Sequence, residues 1–186
     1  MNFGRHMTKR LRIIAFIITI ILAGTLIGCG GVMEPQDALD RFTRILEEGR
    51  VNELTLRIYM RDAQVMTPFP LTLEMYKREF NEDNIIVVEG SELAEHLDLL
   101  KRLSSDVLVS VDVDTRVDAR EYYVFEYRGR KLFDVVMWVI EGHSNILING
   151  QVFEDDLIFF EILMPFLSER QARSFEWMLD YRWPDR

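Results

Sequence analysis

Cys29 is the only cysteine in a chain of 186 residues. A lone thiol can act as a nucleophile, a redox centre or a point of covalent attachment. Its position favours attachment, because it directly follows an uncharged apolar run, 13–28, in the tetrapeptide Leu26-Ile27-Gly28-Cys29. Other chemistries lack their parts. His96 and His143 are the only histidines beyond the N-terminal segment. Acyl transfer needs a hydroxyl held against such a base; Ser144 adjoins His143, but sequence neighbours rarely aim at each other, and no GxSxG elbow is present. His96 lies beside Glu92 and Glu95 and is expected at a surface or boundary. Glycoside hydrolysis needs two opposed carboxylates, and among 31 acids such a pair discriminates nothing. Asp112, Asp114 and Asp118 lie in DVDTRVD, but a calcium loop wants an oxygen ligand where Arg116 stands and glycine where Val117 stands. Glu154, Asp155 and Asp156 precede an apolar run, where acids suit a helix N-terminus. No metal site follows from these groups. Glycine loops for phosphates and nucleotide motifs are absent, so no cofactor is expected.

Arg5, His6, Lys9, Arg10 and Arg12 form a basic n-region ahead of the apolar run. With Leu26-Ile27-Gly28-Cys29 behind it, the first 29 residues resemble a bacterial lipoprotein precursor and its lipobox. The resemblance implies cleavage between Gly28 and Cys29, a diacylglyceryl thioether on Cys29 and acylation of the new amino terminus. Two or three acyl chains anchor stably where one binds only marginally. An uncleaved signal anchor is the alternative, since 13–33 carries no charge. The small residues Gly28, Gly30 and Gly31 argue for cleavage, and the positive-inside bias puts the domain on the same outer face either way. The partner implied is the membrane, through acyl chains on Cys29. Gly30 stands where an inner-membrane retention signal would have aspartate, so an outer-membrane address fits a two-membrane cell.

The organisation expected is a signal peptide over 1–28, a lipidated cysteine with a short tether over 29–34, and one domain over 35–186. Losing Arg5, Lys9, Arg10 and Arg12 leaves 18 basic residues against 31 acids, a net charge near −13. A domain so acidic is repelled by phosphate backbones, which excludes nucleic acid as a partner.

Periodicity supplies the elements. Leu39, Phe42, Ile45 and Leu46 predict an amphipathic helix over 36–48, stopped by Gly49. Alternation over 53–60 predicts a half-buried strand. Thr72 can cap a helix to Phe80; 81–84 reads as a polar turn, 85–89 as a short buried strand, and 92–103 as a helix capped by Ser91. Val107, Val109, Val111 and Val113 predict a strand with Asp112 and Asp114 on its wet face. A hairpin follows over 121–140 through Arg128-Gly129-Arg130, then a type I′ turn at Asn149-Gly150. His143 falls in a turn between strands, and two helices, 155–167 and 169–181, end the chain. The second starts on Ser168 and Gln171 at capping-box spacing. The fold class is α+β, a single domain whose mostly antiparallel sheet has helices packed on one face.

One aromatic group suggests recognition. Phe69 lies between two prolines, Trp177 and Tyr181 are four apart, and Trp183 follows. If exposed, they form a patch suited to an envelope protein or a peptide; a helix buried on two sides is the plainer expectation. Together these features point to a non-catalytic binding domain, with an envelope hydrolase whose residues meet only in the fold as the alternative.

Overall fold

The amphipathic stripe Ala38, Leu39, Phe42, Ile45 and Leu46 makes α1, Pro35–Glu47, and buries that stripe completely or nearly so. Pro35 suits the first turn, where no amide partner is lost, and Gly49 ends the helix at φ +68°. The computed structural model describes residues 32–60, 71–80, 85–111, 119, 121–140 and 143–182.

Six strands follow: β1 (Leu54–Met60), β2 (Ile86–Glu89), β3 (Glu121–Tyr127), β4 (Arg130–Ile140), β5 (His143–Ile148) and β6 (Gln151–Glu154). They form one sheet in the order β2-β1-β3-β4-β5-β6, every neighbouring pair antiparallel. Both predicted turns form. Arg128 and Gly129 take φ of 52° and 71°, and Asn149 and Gly150 take 49° and 85°, the positive values that a two-residue hairpin turn needs.

Successive strand residues face opposite sides, and the buried residues sort accordingly. Leu54, Leu56, Ile58, Tyr123, Phe125, Phe133, Val135, Ile146 and Ile148 belong to the main core. There α1 inserts Phe42 against Phe125 and Phe133, at ring-centroid distances of 4.8 and 5.5 Å. Such pairs add about 0.5–1.5 kcal/mol each beyond the area they bury. The intervening residues Tyr122, Val124 and Val136 form a smaller cluster on the other face, with Tyr76 of α2 (Leu73–Arg78). Thr72 caps α2, its Oγ1 accepting from the Met75 amide at 3.2 Å. So the main helices cover one face and one short helix sits on the other.

Several expectations change. The helix over 92–103 is two short helices, α3 (Gly90–Ala94) and α4 (Leu97–Leu100). It bends at His96 (φ −116°, ψ 27°), whose ring meets Phe166 edge-on at 5.2 Å. Ser91 lies inside α3, and Glu89 occupies the cap position. The 85–89 strand is a sheet edge where Val88 is buried and Val87 is 40% exposed. No full strand forms along 107–111. Ser105–Val107 is a 3-10 turn, one bridge joins Ser110 to Phe153, and Val109 is 50% exposed, so the turn takes up the start of the segment and only its end meets β6. His143 opens β5 opposite Ile140 rather than sitting in a turn. The 155–167 helix breaks into α5 (Ile158–Glu161) and a 3-10 turn, Met164–Phe166. Ile158, Phe159, Phe160, Ile162, Leu163 and Phe166 are all buried, a requirement that no one-sided helix meets. Last comes α6, Glu169–Arg182. Its capping box forms: the Ser168 amide donates to Gln171 Oε1 at 3.1 Å, and the Gln171 amide donates to Ser168 Oγ at 3.4 Å. The 61–70 and 81–84 segments and Asp112, Asp114 and Asp118 lie outside the described residues.

Candidate functional site

The residues singled out from sequence do not assemble a site among the described residues. Gly28, Cys29, Phe69 and Trp183 lie outside them. Trp177 and Tyr181 belong to α6 by backbone, with side chains outside the description. Elsewhere on α6, Phe175 and Leu179 are buried, and Phe175 packs 5.9 Å from Phe160. Of the acids at 154–156, Asp156 is structural, accepting from the Ile158 amide at 2.9 Å. Among the described residues, no three His, Cys, Asp or Glu side chains gather to hold a metal ion. No helix among them is long and apolar enough to cross a membrane.

Two polar groups stand out instead. On the smaller face, the Asp134 carboxylate is 7% exposed and accepts from Tyr122 Oη and Lys131 Nζ, both at 3.1 Å. Lys77 Nζ lies 4.2 Å from the centre of the Tyr122 ring. Burial raises the Tyr122 hydroxyl well above its usual range, and the Asp134 charge adds to this. Burial lowers the Lys77 ammonium against the opposing pull of Asp134. Asn149 completes the group. Its Oδ1 accepts from the Asp134 amide at 3.2 Å, and its Nδ2 donates to the Met33 carbonyl at 2.8 Å. With the Asp134 carboxylate serving two donors and Asn149 bonded to the Met33 carbonyl, this group pins α2 and the N-terminal entry to the sheet.

The second group lines a cleft of about 610 Å³ between α1 and the β3–β4 turn. That volume falls within the usual range of small-ligand sites. Tyr127 ends β3 and is 9% exposed, and its hydroxyl is buried with no hydrogen-bond partner among the described residues. Three guanidiniums converge on its ring from three places in the chain. Arg50 lies 5.2 Å from the centroid, Arg128 5.3 Å and Arg41 5.5 Å, distances at which each cation is attracted to the ring. Three positive charges so close repel one another, and two of them are neutralised. Arg50 pairs with Glu48 at 2.9 Å and with Glu53 at 3.2 Å, while Arg128 also contacts Glu53. The Arg128 hydrogen bond holds the Glu53 carboxyl below its usual range, and Glu48 raises Arg50 in return. Arg41 and Arg44, one turn apart on exposed α1 positions, form no ion pair among the described residues. Asp37 and Asp40 line the same cleft, and Asp40 accepts a hydrogen bond from Ser105 Oγ.

The arrangement leaves two guanidiniums free to fork an oxyanion, beside two that are already held. Sequence reasoning passed over all four arginines. Alone, each reads as a solvated surface charge, and only the hairpin brings Arg128 next to α1.

No protein-family model, no curated protein and no solved structure matches the chain.

Proposed function

We propose that this chain is an exported lipoprotein, cut after Gly28 and held to the outer face of a membrane by acyl chains on Cys29. Its domain binds rather than catalyses, taking an oxyanion-bearing ligand in the cleft between α1 and the β3–β4 turn. The address rests on Leu26-Ile27-Gly28-Cys29 behind a charged n-region and an apolar run. The binding role rests on one observation: Arg41 and Arg44, both without an ion pair among the described residues, line one cleft beside Arg50 and Arg128, which carboxylates of the chain already hold. In a binding module, free guanidiniums near held ones give selectivity for planar or tetrahedral oxyanions, since each fork fixes two oxygens.

Two measurements on the full chain, produced in a bacterial host and purified in a maltoside detergent, test this. Intact mass should show a cut, acylated chain, and Cys29→Ala should leave it uncut and unacylated. Titration with inorganic phosphate, followed by ³¹P line broadening, should show saturable binding that Arg41→Ala/Arg44→Ala weakens at least tenfold. An unmodified thiol removes the address. Equal broadening with the double variant removes the binding site.

A further inference from the structure

Where the cleft lies along the chain narrows its ligand. Met33 lines it, and Cys29 precedes Met33 by four residues, no more than about 14 Å of chain at full extension. We propose that the oxyanion held by Arg41 and Arg44 is the phosphate of a zwitterionic head group of the phosphoethanolamine or phosphocholine kind, so that the cleft docks the domain on the bilayer bearing its anchor. This rests on the anchored-domain reading above.

The charges in the cleft select a zwitterion over a plain anion. Asp37, Asp40, Arg41 and Arg44 sit at i, i+3, i+4 and i+7 of α1, one helical face with neighbouring Cβ atoms about 5–6 Å apart. Both signs are therefore presented side by side. The guanidiniums fork the phosphate oxygens, and the cationic end of the head group falls to Asp37 and Asp40. The mature chain's net charge near −13 opposes approach to an anionic surface, whereas a zwitterion brings no net charge. A single phosphate contact of this kind is weak in free solution. The tether makes it intramolecular, at an effective concentration of roughly millimolar or more, so weak contacts are enough to orient the domain.

The test uses the full acylated chain in vesicles. Glu47 is exposed on α1. With Cys29 acylated, Glu47→Cys supplies a single free thiol for a nitroxide, whose collisions with a water-soluble nickel chelate report burial. In phosphatidylcholine vesicles the collision rate should be at least threefold lower than in the same protein carrying Arg41→Ala/Arg44→Ala. Arg41→Lys/Arg44→Lys should fall between, because lysine cannot fork a phosphate. Circular dichroism of each variant confirms that the fold is retained. Free phosphoethanolamine, added to the detergent-solubilised chain, forms the second arm and is read by ³¹P broadening. Broadening there without protection in vesicles would make the ligand a soluble molecule and overturn the lipid source. Stronger protection in phosphatidylglycerol vesicles would overturn the choice of a zwitterion. Equal accessibility with and without the arginines, and no broadening, would overturn the proposal. Intact mass on the same sample reads the anchor separately, so loss of acylation is distinguished from failure of the cleft.

Discussion

Gly90 opens α3, where replacing glycine by alanine ordinarily favours a helix by about 1 kcal/mol. The structure reverses that sign. A Cβ built on Gly90 would lie 2.4 Å from the Val51 carbonyl oxygen and 2.5 and 2.6 Å from Asn52 Cα and C. All three are backbone atoms of the 3-10 turn Val51–Glu53, which leads into β1, so no flexible side chain can swing away. Reaching ordinary contact means parting β1's entry and α3 by nearly 1 Å (about 3.4 Å of separation is needed). Overpacking of this kind costs about 1–3 kcal/mol, and the stiffness of backbone puts Gly90→Ala at the upper end. After the helix gain, the net loss is about 2 kcal/mol, or roughly 4–8 °C in Tm for a chain of this size. Thermal unfolding of the full-length protein, followed by circular dichroism, measures it. Gly129→Ala is the control, because Gly129 has φ +71° and nothing within 4 Å of its added Cβ. It should lose only the backbone strain, about 1 kcal/mol. If Gly90→Ala melts at or above the wild-type temperature while Gly129→Ala falls, the close-approach argument is wrong.

Asn149→Gly keeps the positive φ but loses the hydrogen bonds to the Asp134 amide and the Met33 carbonyl. It should cost about 1–2 kcal/mol in the same melt, and Asn149→Ala should cost more by adding strain. Ser168→Ala should cost about 1 kcal/mol by breaking the α6 capping box, and Gln171→Ala should cost less. Tyr123→Phe removes a fully buried hydroxyl with no partner among the described residues, so unfolding at pH 7 should show stability unchanged or raised by up to about 1 kcal/mol. Burial raises Tyr123 and Tyr122 above the ordinary tyrosine value in the folded state only. Above about pH 10 the unfolded chain therefore releases protons that the folded chain keeps, and stability falls as pH rises. A melt series from pH 8 to 11.5 should show a shallower loss for Tyr123→Phe than for wild type; a steeper loss would refute that account.

The sheet was legible wherever a turn or an alternation carried its own physical signature. Asn149-Gly150 marks a hairpin because few other residue pairs adopt two positive φ values together, whereas at Arg128-Gly129 the glycine between two strand-like runs carries the signal. Leu54, Leu56 and Ile58 alternate because one face of β1 meets the core. Where a segment had to bury more than one side, or met no adequate partner, periodicity misled. The leucines of 92–103 look like one helical stripe, and Leu93 and Leu100 are both buried, yet the chain bends at His96, where no glycine or proline marks a break. The valines of 107–111 alternate like a strand, but the segment meets β6 at a single bridge, Ser110 to Phe153.

The cleft was illegible for a different reason. Arg41, Arg44, Arg50 and Arg128 come from α1, the turn that follows it and a hairpin far along the chain, and no local pattern links them. What links them is β1–β3 pairing, which sets Leu54 opposite Tyr127 and so brings Glu53 beside Arg128. Glu53 then holds Arg50 and Arg128 against one ring, although like charges so placed would otherwise separate. Arg50 and Arg128 receive an anionic partner from within the chain, while Arg41 and Arg44 form no ion pair among the described residues. Under the proposed function, that second pair takes its carboxylate or phosphate from outside, beside the pair that the fold itself satisfies.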